Sequence, residues 1–159
     1  MEIKRVVAAS AGGVLATVAM SGWMLAGQLV SRHGEQPPKR LVRGVAGRAG
    51  IPTKRRGPAT VLVTGAAHLG FGAAAGALYG ALVPRSSVPR GAAFGLAVWA
   101  TSYAGWIPAL GLLPPPHKDR PGRARTISSA HIVYGAALGA LLDRYDRLQL
   151  DEPQDRAPD

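Results

Sequence analysis

Charge is absent from four long stretches of this chain and dense between them. Val6–Val30, Ala59–Val83, Gly91–Leu113 and Thr126–Leu142 hold no Asp, Glu, Lys or Arg, over 25, 25, 23 and 17 residues. A helix of about 20 residues crosses the ~30 Å hydrocarbon core of a bilayer. A surface helix of a soluble bundle instead keeps a polar stripe for water. TVLVTGAAHLGFGAAAGALYGALV, Thr60–Val83, has no such stripe. The pattern predicts an all-α, polytopic membrane protein with four transmembrane helices at about 6–30, 59–83, 91–113 and 124–142, in a single domain over 1–145. MEIKR resembles the start of a signal peptide, but the run after it far exceeds the roughly 7–15 apolar residues of such a segment. A retained first helix is expected.

The segments between the runs carry the charge. With 19 Lys+Arg against 9 Asp+Glu, the net charge is +10, a balance that elsewhere suggests nucleic acid. Here the cations flank apolar runs, where topology and anionic lipid already account for them. Loops 31–58 and 114–125 hold twelve basic residues, against seven in the N-terminus, the loop at 84–90 and the tail. Basic loops stay inside, so both of those loops are expected in the cytoplasm and both termini outside, although Lys4 and Arg5 pull the other way. Leu41, Val42, Val45, Ala46 and Ala49 recur at helical spacing among arginines in the first loop. They suggest either a short amphipathic segment on anionic headgroups or a solvated basic loop. Pro114–Pro116 should be extended. An acidic tail, 146–159, is expected to be disordered.

One phrase is written twice. AHLGFGAAAGAL (Ala67–Leu78) returns 63 residues later as AHIVYGAALGAL (Ala130–Leu141), with eight of twelve positions identical. More weakly, Gly12 aligns with Gly95, and Ser21–Trp23 with Ala104–Trp106, at an offset of 83. The spans therefore read as two repeated parallel helical hairpins, related by an axis along the membrane normal. Gly72, Gly76 and Gly80 on the second span, and Gly135 and Gly139 on the fourth, recur every four residues. Small residues at that spacing let helix backbones approach closely in lipid. Ala9, Gly13, Thr17 and Ser21 offer a matching stripe on the first span, and Ala93, Ala97, Thr101 and Gly105 on the third. Trp23 and Trp106 suit an aromatic belt. Pro108 should kink the third span and free the Ala104 carbonyl.

GLLPPP (Gly111–Pro116) followed by SAHIVYG (Ser129–Gly135) resembles the corresponding stretch of YagU-like proteins, small multi-pass proteins of the bacterial inner membrane. The fuller pattern, about Thr64 to Arg144, is similar to a group of uncharacterised four-helix bacterial proteins. The resemblance implies a fold and a location, the bacterial cytoplasmic membrane. It implies no activity and no catalytic residues.

His68 and His131 are the titratable side chains inside the four runs apart from tyrosines, and intramembrane ionisable groups are functional by default. The first reading makes each a polar clasp to a neighbouring helix, with Thr17, Ser21, Ser102 or the Ala104 carbonyl as partner. A second makes them a path for protons or a small solute. A third is bis-histidine haem ligation. There is no cysteine, no carboxylate pair within the runs, and no nucleophile or metal-ligand motif. The sequence therefore points to a non-enzymatic structural or stress-related accessory, with a small transporter or proton conductor as the alternative. No catalytic, cofactor or metal site is expected. The expected partners are the bilayer and anionic headgroups at the basic loop, with homo-oligomers possible and nucleic acid excluded.

Overall fold

A computed structural model describes residues 3–30, 58–119 and 122–151. Among them stand four long helices and no strand. They are α1 (Ile3–Val30), α2 (Pro58–Leu82), α3 (Val88–Thr101, continued through a π turn at Ser102–Trp106 into Ile107–Ala109) and α4 (Arg123–Asp151). Two segments, Ile3–Gly27 and Val61–Leu82, are long and apolar enough to cross a membrane. The amphipathic reading of 41–49 and the last eight residues of the tail lie outside the described residues.

The ends of the helices have local causes. Ser87 caps α3, its hydroxyl accepting from the Arg90 amide, and Pro89 sits in the first turn, where a missing N–H costs nothing. At the far end Gly111 turns left-handed (φ 66°), and the Leu112 amide reaches back to the Ile107 carbonyl at 3.1 Å. That closing turn ends the helix at Ala109 rather than carrying it to Leu113. The kink expected from Pro108 is present, and the π turn just before it absorbs the lost hydrogen bond. Ile107 donates to the Ser102 carbonyl, five residues back, and Gly105 takes φ −105°, ψ −105°. Pro115 is extended as expected, but Pro116–Lys118 tighten into a 3-10 turn.

Helix α4 runs nine residues past Leu142. Residues 146–151, assigned to the tail by their charge, are therefore helical. The reason is pairing: Asp146 meets Arg5 on α1, and Asp143 meets Arg147 one turn along.

Packing order differs from chain order. Helix α1 packs against α2 and α4, and α4 packs against α1 and α3, whereas α2 and α3 barely touch. Their meeting point includes Tyr79 against Phe94, with ring centroids 5.0 Å apart. Each buried face has the helical period. Ala9, Gly12, Gly13, Ala16, Thr17, Met20 and Met24 form the inner stripe of α1. Ile127, Ala130, Tyr134, Leu138 and Leu142 form that of α4.

Candidate functional site

The glycines form the seams that position the histidines. On α2, a Cβ at Gly76 would stand 2.9 Å from the Gly13 Cα, and one at Gly80 would stand 2.5 Å from the Ala9 Cβ. A Cβ at Gly72 would strike the Thr17 hydroxyl. On α4, a Cβ at Gly139 would stand 3.1 Å from the Gly91 Cα, and one at Gly135 would stand 2.9 Å from the Gly95 nitrogen. Backbones this close leave no room for any side chain, which is how small residues join helices when lipid supplies no hydrophobic drive.

The seams correct two details read from the sequence. Gly13 and Gly91 occupy the same place in the two hairpins, an offset of 78 rather than 83. Gly12 instead faces Leu138 of α4, with a would-be Cβ 3.4 Å from its Cδ1, while Gly95 faces His131 and Gly135 in its own hairpin. The stripe chosen for α3 is also the wrong one. Ala93, Ala97 and Thr101 are exposed, and Gly91 and Gly95 make the contact. Their register is set by the short turn at 83–87, where the Ser86 hydroxyl donates to the Gly139 carbonyl at 2.9 Å.

His68 and His131 are each half-buried. His131 Nδ1 lies 2.8 Å from the Ile127 carbonyl oxygen in its own helix. A carbonyl only accepts, so Nδ1 carries the proton and Nε2 keeps its lone pair in the neutral ring. Among the described residues, neither histidine is hydrogen-bonded to a neighbouring helix. Their proposed partners are also satisfied within their own helices. Thr17 donates to Gly13, Ser21 to Thr17 and Ser102 to Val98.

Other residues clasp the helices. The Tyr134 hydroxyl donates to the Gly72 carbonyl at 2.8 Å, joining α4 to α2. Tyr79 lies 3.0 Å from the Ser86 hydroxyl. Because Ser86 already donates to Gly139, Tyr79 is the donor in that pair. Trp23 Nε1 donates to Ser129 at 2.9 Å, tying α1 to α4. Arg5 grips Asp146 through two nitrogens, at 2.8 and 3.0 Å, and also donates to the Gly80 carbonyl. At the opposite end, Asp119 accepts from both Tyr103 and Arg123, the latter at 2.7 Å. Tyr134 did have a sequence signal, since it is the repeat copy of Phe71 with one hydroxyl added. Arg5 and Asp146 had only their opposite charges at the same end of a four-helix reading.

Trp99 sits one turn below Gly95 on α3 and stacks against Tyr103, with ring centroids 6.3 Å apart. Its buried Nε1 has no hydrogen-bond partner among the described residues. Among those residues no group of three His, Cys, Asp or Glu converges as a metal site.

No curated protein and no solved structure matches the chain, and nothing in the comparisons carries the YagU-like resemblance further. A family match does extend over nearly its whole length, residues 3–152, taking in both glycine seams, both histidines and the Arg5–Asp146 tie. The chain belongs to that family, a family of unknown function (DUF6789).

Proposed function

We propose that this is a four-span protein of the bacterial cytoplasmic membrane, a non-enzymatic structural or stress-related accessory built as two repeated hairpins. The observation that carries the reading is the direction of the large apolar side chains. Leu15, Val18 and Leu25 on α1, Val61, Leu62 and Phe71 on α2, Leu96 on α3 and Leu110 just after it, and Ile132 and Leu141 on α4 all point outward. The interior is lined by glycine, alanine and tyrosine with a few larger apolar side chains, Leu138 and Leu142 among them. An apolar belt on all four helices is unsustainable in water and is the ordinary outer surface in lipid.

Topology tests this reading. The chain has no cysteine, so single cysteines report without background. Ser86 is buried, which makes exposed Arg85 the better probe of the short turn. An impermeant maleimide on intact cells should label cysteine at Arg85 and Asp151 but not at Ser31 or Lys118. The reverse pattern would show that Lys4 and Arg5 outweigh the basic loops. Labelling at all four sites in intact cells would remove the spanning reading itself.

A second reading, conduction of protons or a small solute, is favoured by one observation: a tyrosine, Tyr134, rather than either histidine bonds across between α4 and α2. Proteoliposomes decide between the two. The leading reading expects no proton flux above empty liposomes. Flux that disappears in a folded His68→Asn/His131→Asn protein would put the second reading first.

A further inference from the structure

The two histidines share their layer with sulfur. Gly13 and Thr17 pack on Gly72, and α1 and α2 run antiparallel, so Met20 lies level with His68 and Met24 level with Thr64. On the other side of α1, Trp23 bonds Ser129 and Gly27 packs 3.7 Å from Thr126. That register puts Met20 level with His131 as well. Both methionines are 6% exposed and belong to the same core cluster as Ala130 and Tyr134. The sequence pattern gave no metal site, because histidine and methionine on three different helices have no recognisable spacing.

We propose that His68, His131 and Met20 form a binding site for a single monovalent copper ion in the interior of the bundle. Three observations bear on it. The Nδ1–H of His131 is spent on the Ile127 carbonyl. That arrangement fixes the ring and presents Nε2, as metal-ligating histidines commonly do with a backbone carbonyl behind them. His68 has no hydrogen-bond partner among the described residues, so nothing competes for its lone pair. The third donor is a thioether, which selects Cu(I) among the first-row metals.

Charge argues for the same ion. The donors are neutral, and no carboxylate or thiolate accompanies them. Transfer of an ion into an apolar interior costs energy in proportion to the square of its charge, about fourfold more for a divalent than a monovalent ion. A neutral ligand set in such a place therefore retains Cu(I) and rejects Zn(II). Size argues against the haem alternative, because the seams that follow both histidines are in backbone contact and do not admit a porphyrin. The proposal goes beyond the membrane-accessory reading and does not depend on it, since a soluble bundle with this interior would bind the same ion.

The test uses the full chain purified in detergent, under anaerobic reducing conditions, with Cu(I) buffered by bicinchoninate. One copper per chain should survive desalting, and its X-ray absorption should show one sulfur and at least two nitrogen neighbours. Met20→Leu keeps the side-chain volume, so the fold is retained. It should lose the sulfur signal and weaken binding at least tenfold, and Met24→Leu should change neither. His68→Asn and His131→Asn should each abolish retention. Copper should also raise the thermal midpoint of the parent and not of Met20→Leu, as expected when a ligand binds only the folded state. The proposal fails if the parent retains no copper, or if Met20→Leu holds it as tightly as the parent. It fails equally if retention follows exposed His117 in a His117→Gln variant, or if the purified protein shows a Soret band.

Discussion

The two hairpins share a seam and differ in almost everything attached to it. In α1–α2 the contact is Gly13 against Gly72 and Gly76, and in α3–α4 it is Gly91 against Gly135 and Gly139. Away from the seam the copies part. Tyr134 is 3% exposed and bonds across to α2, whereas its repeat partner Phe71 is 48% exposed. Ala130 is fully buried, while Ala67 faces outward. The second hairpin also has a π turn and a buried acid–base pair, Asp119 and Arg123, with side chains 2% and 9% exposed. The cause is the number of neighbours. Helix α4 lies between α1 and α3, while α2 rests mainly on α1. Similar glycine stripes given unequal surroundings keep only the close helix contact in common.

Breaking the shared seam should produce the largest effect. Gly76→Leu and Gly139→Leu should each exceed the about 1–3 kcal/mol usual for overpacking, because the obstacle is backbone and cannot rotate away. Gly70→Leu is the control, since nothing lies within 4 Å of its would-be Cβ. Thermal unfolding in detergent measures all three. If only one seam proves sensitive, the two copies are not equivalent even at their glycines.

Next in size is a feature that belongs to the second hairpin. Asp119→Asn strands the Arg123 charge in a buried place and should cost about 3–5 kcal/mol. Adding Arg123→Gln should recover part of that loss, giving a non-additive double-mutant cycle. Simple additivity would mean that the two side chains are neighbours without being a working pair.

Tyr134→Phe should cost about 1 kcal/mol, a drop of about 2–4 °C in thermal midpoint for a chain of this size. Phe71→Tyr, the reciprocal exchange, should leave the midpoint unchanged because that ring faces outward. A stabilising Phe71→Tyr would show that α2 has a partner the single chain does not supply. Smallest of all is Asp143→Asn. Its partner Arg147 is largely exposed, and such pairs contribute at most about 0.5 kcal/mol. A null result there, beside a large one at Asp119, would separate position from charge as the cause.

Helix number and the faces of α2 and α4 were legible in the sequence because Gly72–Gly76–Gly80 and Gly135–Gly139 sit at a spacing that only close helix packing requires. The face of α3 was not, because that helix carries two small-residue stripes. The choice of Gly91 and Gly95 over Ala93, Ala97 and Thr101 is made by the turn at 83–87, through the Ser86 bond to Gly139, 53 residues further on. The histidines were found as residues but misread as clasps. Nothing local shows that the Ile127 carbonyl accepts from His131 or that Tyr134 reaches Gly72. The methionines went unremarked for a plainer reason: in an apolar run they look like any other core side chain.

The tie between Arg5 and Asp146 joins residues 141 positions apart. A ribosome adds about 5–20 residues per second, so Arg5 waits about 7–30 s after its own synthesis for its partner. During that interval the Arg5 cation has only the Gly80 carbonyl of α2 to meet it and no carboxylate. The last turns of the last helix then neutralise it. The ion pair therefore closes the bundle only after α4 has been made, tying the first turns of α1 to the last turns of α4.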